Sequence, residues 1–174
     1  MVDFSHDGIA FSPDGKLFAA GTYGAGGEGP KSGELRVWDA EKGNLLDVWR
    51  SKDSVQDGKD NAAIQGIAFS PDSRRIAIAC SDGDVWIWDI ATKQVSEKLK
   101  GHRKTVRRVA FSSDGQYLAS AGRDQAVRLW STESWKQLAS LHFDSPEINA
   151  LSFSPDCNSL VAGGGRYGRV AIPA

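Results

Sequence analysis

Residues 101–131 read GHRKTVRRVAFSSDGQYLASAGRDQAVRLWS. The stretch holds a Gly-His pair, an AFSSDG turn, a short strand ending in Ser120, a tight turn at Asp124 and an RLWS strand. The rest of the chain lies over it as further copies, some complete and some damaged. A fixed internal period decides the architecture, because a single repeat cannot bury its apolar face alone.

The segments AFSPDG (10–15), AFSPDS (68–73), AFSSDG (110–115) and SFSPDC (152–157) align without gaps. Their phenylalanines, Phe11, Phe69, Phe111 and Phe153, stand 58, 42 and 42 residues apart. A second anchor is RVWD (36–39), WIWD (86–89) and RLWS (128–131). Phe to Trp is 19 residues in copies two and three and 27 in copy one. Trp38 to Phe69 is 31, against 23 from Trp88 to Phe111. The unit is therefore 42 residues, and copy one carries two insertions of eight.

Each unit contains four strand-like runs. In copy three they fall at 106–111, 116–121, 126–131 and 136–141, each bounded by Gly, Asp, Ser or Pro. No 3.6-residue periodicity is sustained, so helix content should be near zero. Four short antiparallel strands per unit describe one blade of a β-propeller.

Composition bounds the rest. A chain of 174 residues with 40% hydrophobic and 25% charged residues suits a globular fold. A net charge of −1 gives no general attraction to nucleic acid or an anionic membrane. Cys80 and Cys157 form no CxxC pair, so neither a zinc site nor a disulfide framework is expected. The start, MVDFSHDG, has neither the basic nor the apolar region of a signal peptide, and no 18-residue apolar run exists. The expectation is a cytoplasmic protein, with the nucleus open and secretion not expected.

Gly101-His102, the SxDG turns, Asp124 and the endings Trp38-Asp39 and Trp88-Asp89 resemble the WD-repeat (G-beta type) propeller family. The resemblance covers almost the whole chain in four phased copies. It implies four-stranded blades whose innermost strands line a central channel. The expected fold is all-β, a single region over 1–174 with blades near 1–50, 64–100, 101–142 and 143–174.

The columns through the copies make physical sense. Phe11, Phe69, Phe111 and Phe153 are expected to pack between blades, beside small Ala10, Ala68, Ala110 and Ser152. Ser12, Ser70, Ser112 and Ser154, each followed two residues on by Asp, should close the turn into the next strand through side-chain hydrogen bonds. Asp7, Gln65, Arg107 and Asn149 are polar in every copy, and the resemblance puts them near the channel mouth.

His102, Ser120 and Asp124 have the residue types of a catalytic triad, but no nucleophile elbow or oxyanion hole accompanies them. The resemblance instead implies a structural hydrogen-bond network with Trp130. Copy two has Asp82 and Trp88 but Ile78 for the serine and Asp60 for the histidine. Copy four has Asp144 and Ala162 at those places and no Trp. Only copy three is complete, and it should be the most rigid blade.

The insertions lie at 21–34 and 50–63, and the resemblance implies that both emerge on one face. Gly24 to Gly29 has the glycine step of a phosphate loop, but Pro30 separates it from Lys31-Ser32 and a strand follows. Asp53, Asp57 and Asp60 lack the alternate spacing of a calcium loop. No cofactor and no metal is expected. The basic run Lys98, Lys100, Arg103, Lys104, Arg107 and Arg108, with Arg123, reads either as ordinary solvated residues or as a cation patch for an acidic protein segment. Nucleic acid is not the expected partner.

The last copy reaches only its third strand, and VDFS at 2–5 is a candidate for the fourth. Family rings of seven or so blades would need roughly 290 residues. The favoured architecture is an open arc or part of a larger ring; two chains completing eight blades, or a closed four-blade ring, remain alternatives. An open arc would expose its terminal blades and invite self-association. The expected function is a non-catalytic scaffold that binds other proteins through its loop face. The candidate contacts are Arg103, Lys104, Arg107, Arg123, Asp7, Gln65, Asn149 and Tyr23. The alternative is a regulatory or sensor propeller in a larger enzyme.

Overall fold

The computed structural model describes residues 8–22, 33–51, 62–143, 147–164 and 167–171. Every helix or strand longer than one turn among them is a β-strand. The first sheet contains β1 (Ile9–Phe11), β2 (Leu17–Thr22), β3 (Glu34–Asp39) and β4 (Leu45–Arg50). The second contains β5 (Ile64–Phe69), β6 (Arg75–Cys80), β7 (Val85–Asp89) and β8 (Gln94–Leu99). The third contains β9 (Val106–Phe111), β10 (Tyr117–Gly122), β11 (Ala126–Ser131) and β12 (Gln137–His142). The fourth contains β13 (Ile148–Phe153), β14 (Ser159–Gly164) and β15 (Tyr167–Ala171). All four are antiparallel meanders in sequence order, as blades of a propeller require. The second strand of blade three begins one residue later than its spacing predicts, at Tyr117, because Gln116 is taken up by the preceding turn.

That turn is the same device four times. Ser12 Oγ donates to Asp14 Oδ1 at 2.6 Å while accepting the Leu17 N–H at 2.9 Å. Asp14 Oδ1 in turn accepts the Lys16 N–H at 3.1 Å. Ser70–Asp72, Ser112–Asp114 and Ser154–Asp156 repeat the hydroxyl–carboxylate bond at 2.6, 2.5 and 2.5 Å. One left-handed residue follows each Asp: Gly15 at φ 72°, Ser73 at 58°, Gly115 at 73° and Cys157 at 58°.

The core lies in the joints between blades, and each joint sets large side chains against small ones. Blade one offers Ala10, Ala19 and Val37 to Ile67, Phe69, Ile76 and Trp88 of blade two. Blade two offers Ala68, Ala77 and Ile87 to Val109, Phe111, Leu118 and Trp130 of blade three. Blade three offers Ala119 and Leu129 to Leu151, Phe153 and Leu160 of blade four. Small residues on one face let the next sheet approach closely enough for the large ones to be buried.

One expectation fails here. Phe11 does not pack between blades; it is 67% exposed, and Ile9 is 55% exposed. Each repeat phenylalanine packs on the blade before its own, and no described blade precedes blade one. At the other end Val161 is 47% exposed, although it occupies the register position of Ala119, Ala77 and Ala19, which are buried. The chain is thus an incomplete propeller with two uncovered faces among its described residues.

Candidate functional site

One end of blade three is tied together by a loop, a turn and two strands. Gly101 and His102 lie in the loop from β8 to β9, and Asp124 in the turn from β10 to β11. The Arg123 N–H donates to the Thr105 carbonyl at 2.8 Å, so loop and turn are joined by backbone. His102 Nδ1 stands 2.8 Å from Asp124 Oδ1, and its Nε2 2.8 Å from Ser120 Oγ. The Trp130 indole N–H donates to Ser120 Oγ at 2.9 Å. In the tautomer that pairs the ring with both Ser120 and Asp124, the indole donates to the hydroxyl, the hydroxyl to Nε2, and Nδ1–H to the carboxylate, while Arg128 Nη1 stands 2.7 Å from Nδ1 and gives its hydrogen bond to the same carboxylate. Asp124 Oδ2 accepts the Arg103 N–H at 3.0 Å and Arg128 Nη1 at 2.9 Å.

The charges follow from this geometry. Burial pushes the His102 pKa down, against the pull of Asp124, so the ring is neutral at pH 7. Burial opposes ionisation of Asp124, but hydrogen bonds from His102, the Arg103 backbone and Arg128 hold its pKa down to about 2. Ser120 is completely buried and its oxygen is fully engaged, so it presents no nucleophile to a substrate.

Two members of this corner escaped sequence reasoning. Arg128 is buried and closes the network; its signal was the Arg two residues before Trp in both RVWD and RLWS. Gly122 makes the room: a Cβ there would lie 2.7 Å from both Asp124 Oδ1 and His102 Nδ1.

The equivalent corners of blades one and two are solved differently. In blade one Arg36 stands where Arg128 does in the register, and pairs with Glu34 at 2.9 Å, which also holds Arg50 at 2.8 Å. In blade two Trp86 takes that place, with Lys98 over its ring at 4.2 Å and 3.4 Å from Asp84. Ile78 replaces the serine, and the buried Trp88 indole N–H has no hydrogen-bond partner among the described residues.

The predicted cation patch is partly internal. Arg107 Nη1 donates to Gln65 Oε1 at 3.0 Å, tying the innermost strands of blades two and three. Arg107 Nη2 is 3.8 Å and Arg123 Nε 3.2 Å from the Glu147 carboxylate. Arg103 and Lys104 are exposed, and neither side chain makes an ion pair among the described residues. Asn149 is exposed on β13. Asp7 and Tyr23 lie outside the described residues, as do 23–32 and 52–61 of the two insertions. The bases of the insertions do meet: the Gly33 N–H donates to Ala62 O, and the Ser51 N–H to Gly33 O, each at 3.0 Å. Among the described residues no cluster of three or more His, Cys, Asp or Glu could hold a metal, and no helix is long and apolar enough to cross a membrane.

The family model described as "WD domain, G-beta repeat" matches residues 3–39, 93–131 and 135–171, more than half of the chain. The chain belongs to the WD-repeat family. A second model, the anaphase-promoting complex subunit 4 WD40 domain, matches 47–106, across the inserted region where the first does not. Among individual WD-repeat relatives, the chain is 26% identical over 108 residues to WD repeat-containing protein VIP3 of Arabidopsis thaliana (58% of this chain, 30% of that protein). It is 33% identical over 97 residues to small ribosomal subunit protein RACK1 of Glycine max (56% and 24%). It is 29% identical over 87 residues to a guanine nucleotide-binding protein subunit beta of Oryza sativa subsp. indica (50% and 20%). The match thus spans less than a third of the length of each of these relatives.

Proposed function

We propose that this WD-repeat chain is a non-catalytic scaffold that takes an acidic protein segment on its loop face, at Arg103 and Lys104. The observation that carries the reading is the Glu147 carboxylate, held by Arg107 at 3.8 Å and by Arg123 at 3.2 Å. This surface already accommodates a carboxylate from the chain itself, and the backbone of Arg103 and of Thr105, on either side of Lys104, is tied to the same turn. A partner's carboxylates extend the row onto the two exposed cations. The buried, saturated Ser120 supports the non-catalytic part of the reading. Gln65 acts as a positioning residue for Arg107, and Asn149, at the same repeat position on β13, is exposed as a neutral donor.

The test is the anisotropy of a labelled peptide of alternating Glu and Asp. The expected result is binding that weakens with salt. In Arg103→Glu/Lys104→Glu it should be weaker by tenfold or more, about 1.4 kcal/mol, with an unchanged melting temperature. Equal affinity in the double variant would remove the acidic-segment reading. A second reading, self-association through the exposed terminal blades, is favoured by the exposure of Ile9 and Phe11.

A further inference from the structure

Arg107, on the innermost strand of blade three, has one half of its guanidinium served and the other half not. Its Nη1 donates to Gln65 Oε1 of blade two at 3.0 Å. Its Nε is buried and has no hydrogen-bond partner among the described residues. Nε and Nη2 together form the edge that a carboxylate grips with two parallel hydrogen bonds. The Glu147 carboxylate stands 3.8 Å from Nη2, close enough for an ion pair but too far for a hydrogen bond. Its other oxygen, Oε1, is 3.2 Å from Arg123 Nε, in the turn from β10 to β11.

The reason Glu147 stops short lies in its backbone. It immediately precedes β13, whose first residue, Ile148, is buried and paired with Gly164. The strand fixes where the carboxylate starts, and Arg123 draws it from the other side. The hold is also weak. The Glu147 and Arg123 side chains are 39% and 46% exposed, and ion pairs this open to water contribute little. A carboxylate that is not anchored to β13 is free to reach the Nε–Nη2 edge and to satisfy the buried donor, which is costly to leave unpaired. Around this seat Asp124 is no competitor, because His102, Arg128 and the Arg103 backbone already engage both of its oxygens.

We propose that Glu147 is an internal competitor for the partner: an acidic side chain of the bound segment displaces it and takes the Nε–Nη2 edge of Arg107, with Arg123 on its other oxygen. This deepens the acidic-segment reading and rests on it. Arg103 and Lys104 then receive the neighbouring acidic residues of the same segment. Glu147 sets the threshold, since only a segment that outcompetes it gains the seat.

Anisotropy of the labelled Glu-Asp peptide with the full chain tests this. Apparent affinity is the intrinsic affinity scaled by the fraction of chains whose seat is open, so Glu147→Gln should bind about threefold tighter or more. Arg107→Lys keeps the charge but loses the two-donor edge; it should weaken binding and abolish the gain from Glu147→Gln. Far-UV circular dichroism checks the folding of each variant, and Glu147→Ala repeats the first arm should Glu147→Gln fail to fold. Unchanged or weaker binding in Glu147→Gln, while Arg103→Glu/Lys104→Glu still weakens it, overturns the displacement and leaves the acidic-segment reading standing; if the double variant also binds equally, both fall. A gain that persists undiminished in Arg107→Lys means that Glu147 acts only through its charge, which overturns the displacement. Absence of binding in both the native chain and Glu147→Gln overturns the acidic-segment reading and the displacement with it.

Discussion

His102 matters at the residue scale because its ring joins Asp124 to Ser120 and, through Ser120, to Trp130. Ser120, Trp130 and Asp124 all depend on the ring or on its neighbours. Replacing it by Ala leaves a buried hydroxyl and carboxylate short of a partner, at a cost of about 1–3 kcal/mol. The pH dependence has the same origin. The folded His102 pKa lies below its unfolded value of 6.5, so its contribution is whole above pH 6.5 and is lost as pH falls through the folded value. Asp124 is held to about 2 from 3.8, so its contribution is whole above about 4 and is lost toward pH 2. The urea midpoint of the native chain should therefore decline in two stages on acidification. His102→Ala should abolish the first stage, and an unchanged profile would show that the corner is not what titrates.

At the scale of the element, β7 and β11 are the same strand under different polar constraints. Trp88 and Trp130 share one register position, opposite Ile76 and Leu118. The Trp130 indole is bonded to Ser120; that of Trp88 is buried without a partner. Truncation to Phe removes similar volume from each site. In blade three it also breaks a hydrogen bond, whereas in blade two it removes an unsatisfied donor. Trp130→Phe should therefore cost about 1–3 kcal/mol more than Trp88→Phe in denaturant unfolding. Equal costs would mean that packing alone governs both strands. The strand assignment was legible from alternation and from the Ser-x-Asp turns, because both are local. The satisfaction of the indoles was legible only halfway: Ile78 in place of serine predicts a lost acceptor, but nothing in the sequence says that the Trp88 indole finds no substitute.

For the whole molecule, stability is a sum over joints rather than over one core. Blades two and three are covered on both faces, while blades one and four are covered on one. Amide hydrogen exchange should be slowest in β6, β7, β10 and β11, the central strands of the doubly covered blades, and faster in β2 and β14. Uniform protection across all four sheets would contradict the joint-by-joint picture.

Only the family resemblance implied that Ser120, His102, Asp124 and Trp130 form one network; the amino-acid sequence by itself determined the 42-residue period, the four-blade count and the strand-and-turn chemistry. These follow from short-range rules: alternation, β-branched and aromatic strands, and side chains that hydrogen-bond two residues along. The tertiary structure decided what depends on neighbours from other repeats. It placed Phe11 in solvent while its three counterparts are packed, drew Arg128 into the corner, and set Glu147 between Arg107 and Arg123. Burial and charge pairing are properties of the joint between two sheets, and a residue's own repeat carries no record of which sheet will stand beside it.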